Sequence, residues 1–406
     1  MNNAFKLKFA ALLWGCAAFN HPLTTAWAQG SLTPPGAPVA SMKSLDQIHA
    51  RLEARTPITN ASSQVILSAP GSYYLTTNLT VNGGDAVVIS ASGVTLDLNG
   101  FTISSTAASA SGNAITINNF TADLTIQNGH IRGGVTNNGS GTYSGPGFAA
   151  GISGPSLRNA RVSGVSVSGC LTYGIYLTTV GAAATTVEDC SVQTMGTSGI
   201  YAATVRNCIS LDCGGTAINC SQASDCRGES TGNGYGIFAI SSAANCQCVA
   251  SSNYGLYTIA AQNCYGSSST GYGIYATQAQ NCYGASSTGT GLSATSALGC
   301  SGLSTTSYGL YITVVAENCY GYSSSGYGLL TTLAQNCYGT SSTGTGLYAA
   351  TAQNCRGYSF GNGNGLYSFQ ANSCYGSSTS GIGLSATYGN FCTGSSVSVT
   401  TKYNMP

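Results

Sequence analysis

Short runs in which apolar and polar residues alternate recur from Val65 to the end of the chain, and Gly or Asn separates most of them. The run from Val94 to Leu98 is a clear example, because every second residue is aliphatic. A period of two is typical of a β-strand with one buried and one solvent-facing side. The pattern therefore predicts an all-β chain from about residue 61 onward.

A different period precedes these runs. Met42, Leu45, Ile48 and Leu52 recur at steps of three and four residues, which predicts one amphipathic helix within 41–55. We expect residues 41–60 to cap the first coil of a solenoid, because an uncovered strand edge recruits other strands.

A repeat of about 18 residues marks the second half of the chain. The segment Ala-Gln-Asn-Cys-Tyr-Gly occurs at 261–266, 279–284 and 334–339, and a Gly-Ile or Gly-Leu pair follows nine or ten residues after most cysteines. Stacked strands about 4.8 Å apart would place identical side chains above one another. Eighteen residues also equal five helical turns, but coils rich in Gly, Ser, Thr and Asn are poor helix formers. The repeat predicts a parallel β-helix with wide, irregular coils over 61–160, regular coils over 161–400 and a tail over 401–406.

The cysteines form one row of this repeat, with Val165 in the preceding slot. Alternation puts Cys264 beside Gly266, so the small partners indicate that the thiols face a thin core, where free Cys acts as a small hydrophobe. We expect the row to stay reduced, although export would also permit disulfides. The four cysteines outside the row are better placed to pair than those within it: Cys170, Cys213, Cys220 and Cys248. The uniform row does not resemble a zinc site, and we expect no cofactor. The row comprises Cys190, Cys208, Cys226, Cys246, Cys264, Cys282, Cys300, Cys319, Cys337, Cys355, Cys374 and Cys392.

Tyrosine rows lie one position from the buried residues and should face outward. Tyrosine combines an apolar ring with a hydroxyl and suits a polysaccharide-binding surface, although ring packing between coils would explain the rows equally well. The asparagines before the cysteines should bond amide to amide, and rows such as Ser268, Ser286, Ser324 and Ser341 raise the alternative of ice or mineral binding. The predicted contact residues are Tyr265, Tyr283, Tyr320, Tyr338 and Tyr375 in one row, and Tyr257, Tyr275, Tyr311, Tyr348 and Tyr367 in the other.

Charge is scarce, with 12 Lys and Arg and 11 Asp and Glu among 406 residues. Nucleic-acid binding is not expected, because phosphate contacts need basic side chains. Lys6, Lys8 and the apolar run that follows predict a signal peptide over 1–28, with a flexible leader over 29–40. Cys16 leaves lipidation as an alternative. No later run is long enough for a membrane helix, so we expect a secreted or cell-envelope protein of undetermined oligomeric state.

The segments Gly71–Thr76, Val94–Ile103 and Leu124–Ile131 resemble those of bacterial right-handed parallel β-helix repeat proteins of the pectin-lyase-like superfamily. The resemblance covers about residues 60–135 and implies a right-handed coil. It also implies a wide choice of functions, since the superfamily includes polysaccharide lyases, glycoside hydrolases, adhesins and members without known activity.

Catalysis of those kinds needs paired carboxylates, or a base beside acidic residues. His130 and Arg132 near Asp97 or Asp123 are the best local candidates, and a solvated strand face is the simpler interpretation. The sequence therefore favours an exported structural or adhesive protein, with a polysaccharide or cell-surface glycan as expected partner. A carbohydrate-active enzyme is the first alternative.

Overall fold

The computed structural model describes Ser44 and residues 55–405, except residues 61, 182 and 183. The predicted signal peptide, the leader and nearly all of the predicted capping helix lie outside the described residues. Those three expectations stay predictions. Ala54–Pro406 forms one compact unit.

The described residues form an all-β, right-handed parallel β-helix of about 19 turns, which confirms the predicted fold class. They contain 38 strands and no helix. The first half of the strands are β1 Thr56–Ile58, β2 Val65–Leu67, β3 Gly71–Leu75, β4 Leu79–Val81, β5 Val87–Ile89, β6 Val94–Asp97, β7 Thr102–Ser105, β8 Asn113–Ile117, β9 Ala122–Arg132, β10 Thr136–Asn137, β11 Tyr143–Ser144, β12 Ala150–Cys170, β13 Ile175–Thr179, β14 Thr185–Glu188, β15 Ser191–Met195, β16 Ile200–Arg206, β17 Ile209–Cys213, β18 Ile218–Ser224 and β19 Arg227–Ser230. The others are β20 Ile237–Ala244, β21 Gln247–Ala250, β22 Leu256–Gln262, β23 Tyr265–Ser268, β24 Ile274–Gln280, β25 Tyr283–Ser286, β26 Leu292–Leu298, β27 Ser301–Ser304, β28 Leu310–Glu317, β29 Tyr320–Ser323, β30 Leu329–Gln335, β31 Tyr338–Ser341, β32 Leu347–Gln353, β33 Arg356–Ser359, β34 Leu366–Asn372, β35 Tyr375–Ser378, β36 Leu384–Asn390, β37 Thr393–Gly394 and β38 Val397–Tyr403.

Each regular coil has three faces, named here by their order along the chain. In the coil that begins at Leu256, residues 256–258 form the first face, 260–262 the second and 265–268 the third. Ile259 lies unpaired at the bend between the first two faces, so one strand serves both. Every face pairs in parallel with the same face of the next coil. A separate antiparallel hairpin, β10–β11, projects from the wide coils.

The width of the coils changes along the chain. Equivalent first-face residues from Val65 to Ile200 lie 22 to 37 residues apart, and the spacing becomes 18 or 19 residues from Ile200 to Leu384. The predicted boundary near residue 161 falls inside β12, so the regular period begins about two coils later. The predicted tail also overlaps a strand, because β38 runs through Tyr403 and pairs with β36.

The interior of the regular coils is thin. A Cβ atom added to Gly266 would lie 2.3 Å from the Gly273 carbonyl oxygen, and one added to Gly273 would lie 2.4 Å from the Ala285 backbone nitrogen. The first and third faces therefore touch through backbone at these points. Glycine therefore recurs at these two positions in most regular coils, and the exceptions are Ser210 and Cys248 at the first position and Ala217 at the second.

The corner between the second and third faces explains the asparagine row. Asn263 and Asn336 have φ angles of 51° and 52°, and the equivalent residues along the row share this left-handed conformation. Asparagine adopts positive φ more readily than most residues with a Cβ atom. Amide bonds up the stack, such as Asn263 Nδ2 to Asn245 Oδ1 at 3.2 Å, occur at some steps only. The expected amide-to-amide bonding is confirmed at that step, and corner geometry is what the whole row has in common.

Candidate ligand-binding surfaces

The cysteine row lines the core at the start of the third face. Cys264 is 2% exposed, and its thiol donates to the Gln262 carbonyl oxygen at 3.2 Å. Cys337 makes the same bond to the Gln335 carbonyl oxygen at 3.2 Å. These thiols are therefore small core side chains that also satisfy backbone at the corner.

The cysteines outside the row are also buried and free. All sixteen described cysteines are unpaired, including Cys170, Cys213, Cys220 and Cys248, which are better placed for pairing by their sequence positions. Burial raises the pKa of the Cys170 and Cys213 thiols to about 12. Such thiols remain protonated and unreactive at neutral pH, because the thiolate is the reactive form.

On the third face the tyrosines stack along the solenoid axis. Tyr265 lies on Tyr283 with ring centroids 5.4 Å apart and planes 5° apart, and Tyr320 lies on Tyr338 at 5.3 Å. Tyr358, from the neighbouring column, lies between Tyr338 and Tyr375. Neighbouring tyrosines therefore cover each other's ring faces within a stack, while Tyr265, Tyr283 and Tyr320 remain exposed at 40%, 39% and 42%.

The first face carries a double row. Tyr257 stacks on Tyr275 at 5.4 Å and Tyr348 stacks on Tyr367 at 5.0 Å, while Tyr311 packs on Tyr308 at 5.5 Å. Tyr308 belongs to a set of turn tyrosines that sequence reasoning missed. Their signal is the spacing Tyr-Gly-Ile/Leu, which is followed by a second aromatic residue in every case except Tyr327, where Leu330 follows. The set comprises Tyr173, Tyr235, Tyr254, Tyr272, Tyr308 and Tyr327.

Three of the four serines named for the alternative of ice or mineral binding point inward, so these serines do not form a flat outer surface. Ser268, Ser286 and Ser341 are 4%, 6% and 0% exposed, and Ser324 is half-buried. Ser286 Oγ donates to the Gly271 carbonyl oxygen at 2.6 Å and accepts from the Gly289 backbone N–H at 2.9 Å. These hydroxyls hold the turn between the third face and the next coil.

The second face forms an open groove that the sequence did not predict. It has a volume of about 560 Å³ between Ser242 and Glu317, with Ala261 and Ala279 in its lining. Gln262 and Gln280 expose their amides along it, and a second groove of about 350 Å³ follows between Thr351 and Tyr403. The small alanines make the face concave, and the polar residues of its lining are Ser242, Gln262, Gln278, Gln280, Ser296 and Glu317.

Two of the predicted catalytic residues hold backbone corners. Asp97 is 8% exposed and accepts from the Asn99 backbone N–H at 2.8 Å, and Arg55 Nη1 lies 3.3 Å from its Oδ2 atom. Asp123 has a φ angle of 55° and accepts from Asn159 Nδ2 at 2.7 Å. Both carboxylates thus have local structural partners.

His130 and Arg132 lie on a different strand face from Asp97. His130 Nδ1 is 2.6 Å from Ser166 Oγ, and Arg132 lines a polar hollow of about 410 Å³ with Thr80 and Ser104. Asp97 pairs in register with Gln127, before the corner that leads to His130. In the described part of the chain no hydrogen bond or ion pair joins these candidate acids to the candidate bases.

Asp212 is the carboxylate with the most side-chain partners. It accepts hydrogen bonds from Asn137, Tyr143, Thr194 and Thr231, at 2.7, 2.7, 2.9 and 3.4 Å. Burial by itself would raise the pKa of Asp212, but these hydrogen bonds outweigh burial and lower it. Asn137 and Tyr143 belong to the β10–β11 hairpin, so Asp212 fastens that hairpin to the coils.

Within residues 55–405, apart from the three omitted positions, no group of three His, Cys, Asp or Glu residues is arranged to hold a metal ion. The same residues include no helix that is long and apolar enough to cross a membrane. Comparison of the chain with protein-family models, curated proteins and solved structures finds no match.

Proposed function

We propose that this protein is an exported structural or adhesive solenoid that binds neutral polysaccharide along its regular coils. The observation that carries the proposal is the glutamine-lined groove on the second face, in which Glu317 is the one charged residue of the lining. Residues 231–400 include only Glu317 and Arg356 as charged residues, so the ligand of this surface has little charge. Amides and hydroxyls at a repeat of about 4.8 Å suit the hydroxyl groups of an extended chain.

The proposal includes a distant relationship to the pectin-lyase-like superfamily, supported by the parallel β-helix and by the strand segments between Gly71 and Ile131. Binding without catalysis is the better-supported activity, because the candidate acids hold corners while the candidate bases lie on another face.

Affinity electrophoresis tests the proposal with soluble neutral β-glucan, xylan and mannan, and with anionic pectin and alginate. We expect retardation by a neutral polymer that changes little with salt, because uncharged contacts are not screened. The double variant Gln262→Ala and Gln280→Ala should weaken retardation about tenfold. Gln193→Ala removes an exposed glutamine from the third face and serves as the matched control.

Retardation by none of the neutral polymers would overturn the proposal. Cleavage of pectin or alginate that is abolished by His130→Ala or Arg132→Ala would replace it with the enzymatic alternative.

A further inference from the structure

The turn that contains Ser293 and Ser301 interrupts the tyrosine rows on both the first and the third face. On the third face Ser301 pairs with Tyr283 below and Tyr320 above. On the first face Ser293 pairs with Tyr275 and Tyr311 in the same way, and Thr290 replaces the turn tyrosine. The ladders are therefore interrupted at the same height on both faces.

The interruption at Ser301 leaves two ring faces opposite each other. Tyr283 stacks on Tyr265 with one face, and Tyr320 stacks on Tyr338 with one face, so the remaining faces look across Ser301. Two strand spacings separate these tyrosines by about 9.6 Å. Stacked rings prefer centroids at least about 4.5 Å apart, so this space accommodates one ring. We name it the Ser301 slot, bounded by Tyr283, Ser301, Tyr320 and Leu303.

Neighbouring side chains leave the Ser301 slot open. At a comparable interruption, where Arg356 replaces a tyrosine, the ring of Tyr358 fills the gap at 5.2 Å from Tyr338 and 5.6 Å from Tyr375. The residue equivalent to Tyr358 in the Ser301 turn is Leu303, which is 38% exposed. Tyr322 turns away, because its hydroxyl bonds Ser342 Oγ at 3.0 Å in the following coil.

The solvent exposure of the residues around each gap indicates that the slot is open on the third face and closed on the first. Tyr283 and Tyr320 are 39% and 42% exposed, and Ser301 between them is half-buried. On the first face Ser293 is 5% exposed, so the gap there is closed.

From this geometry we infer that the Ser301 slot binds one pyranose ring of a neutral glycan, with each sugar face against a tyrosine. The inference rests on the proposed function and adds a subsite with its own specificity. Both faces of the ligand ring must be apolar and its hydroxyls must lie at the rim. A β-glucopyranose ring meets this condition, because its hydroxyls are equatorial and both faces carry axial C–H bonds. An axial hydroxyl, as in galactose, would press a polar group on a tyrosine face and leave it without a partner.

The slot lies perpendicular to the solenoid axis, because its walls stack along that axis. A ring between the walls must therefore enter edge-on. We assign the site to a terminal or branch glucose unit, since a chain that runs along the axis would present its rings in the wrong orientation.

Filling the slot tests the assignment. Ser301→Tyr would complete the ladder and occupy the space, whereas Gln247→Tyr adds a ring below Tyr265 in the same row and leaves the slot open. Saturation-transfer NMR and calorimetry with methyl β-D-glucopyranoside, methyl β-D-galactopyranoside and cellohexaose measure binding. We expect the wild type to prefer the glucoside about tenfold, and Ser301→Tyr to lose binding about tenfold while Gln247→Tyr binds normally. Tyr283→Phe should retain binding and Tyr283→Ala should lose it.

The assignment is overturned if Ser301→Tyr binds the glucoside as the wild type does, or if galactoside and glucoside bind equally. It is also overturned if the wild type self-associates and Ser301→Tyr does not, because a second chain would then occupy the slot. If β-glucan retards the wild type and Ser301→Tyr binds with the same affinity, the slot is refuted and the proposed function stands. The absence of binding to every neutral polymer and saccharide would refute both.

Discussion

The wide coils before Ile200 and the regular coils after it build the same parallel stack with different side chains. Large aliphatic and aromatic residues, such as Leu96, Ile126 and Phe148, fill the wide coils and are fully or almost fully buried. The regular coils use Cys, Ala, Ser and Gly at many inward positions, with one Ile or Leu at the start of each coil. Cross-section explains the difference, because a coil of 18 residues leaves little volume between its faces.

The same contrast extends to polar groups. Buried thiols and hydroxyls in the regular coils bond to backbone carbonyls, as Cys337 and Ser341 do at 3.2 and 2.7 Å. In the wide part, Asp97 and Asp123 hold corners, and Asp212 in the first regular coil holds the hairpin. The regular coils therefore replace charge and hydrophobic volume with short, repeated hydrogen bonds.

The largest predicted effect comes from glycine in the thin core. Gly339→Ala would place a Cβ atom 2.3 Å from the Gly346 carbonyl oxygen, and we expect a loss of about 3 kcal/mol or more in unfolding free energy. Gly100→Ala in the wide coils meets nothing within 4 Å and carries only the cost of its φ angle of 78°, about 1 kcal/mol. Urea unfolding followed by circular dichroism measures both. Equal losses at the two sites would contradict the thin-core interpretation.

The second prediction compares the two kinds of core side chain. Ile126→Ala removes a large buried group from the wide coils and should cost about 3 kcal/mol. Cys337→Ala removes one sulfur atom and its weak hydrogen bonding to the Ala316 and Gln335 carbonyl oxygens, and should cost about 1 kcal/mol. The measurement is the urea midpoint of unfolding. The slope of the unfolding free energy against urea concentration should stay unchanged and serves as the control. A cost at Cys337 as large as that at Ile126 would show that the thiol row stabilises the stack by more than its volume.

The third prediction concerns acid. The pKa of Asp212 is lower in the folded chain than in the unfolded chain, where it is about 4. Its contribution to stability is therefore complete at neutral pH and is lost as pH falls below that value and through the lower pKa of the folded chain. We expect Asp212→Ala to cost about 1 kcal/mol at pH 7, a value that allows for the carboxylate's partial exposure, and less at pH 3. Hydrogen exchange of the β10–β11 hairpin, corrected for intrinsic rates, reports the loss.

Residues 231–400 are the internal control for that experiment. Their one carboxylate is Glu317, so hydrogen exchange there should change little between pH 7 and pH 3 once intrinsic rates are removed. Faster exchange at the same pH in both the β10–β11 hairpin and residues 231–400 would argue against Asp212 as the cause.

Much of this architecture follows from the sequence, because an 18-residue period with alternating apolar positions has few solutions. The repeat alone predicts that Cys264 and Gly266 face one way and Tyr265 the other. The alternation of apolar and polar residues does not predict the conformation of a turn. The inward direction of Ser286, which holds such a turn, therefore could not be predicted. The groove depends on the bend at Ile259, where two successive residues face outward and the period of two is broken. The Ser301 slot depends on the side-chain rotamers of Tyr358 and Tyr322, which the spacing of residues along the sequence does not determine.

The smallest predicted effect tests why asparagine occupies the corner of the regular coils. Asn336 has a φ angle of 52° and no amide bond up the stack, so its conformation is the property to test. Asn336→Gly should change the unfolding free energy by only a few tenths of a kcal/mol, whereas Asn336→Ala should cost about 1 kcal/mol, because a Cβ atom without a local hydrogen-bonding group disfavours this region. At Asn263, which does donate to Asn245, both substitutions should cost somewhat more. Urea midpoints of the four variants separate the two contributions. If glycine and alanine were equally costly at Asn336, the side-chain amide rather than the left-handed corner would account for the row.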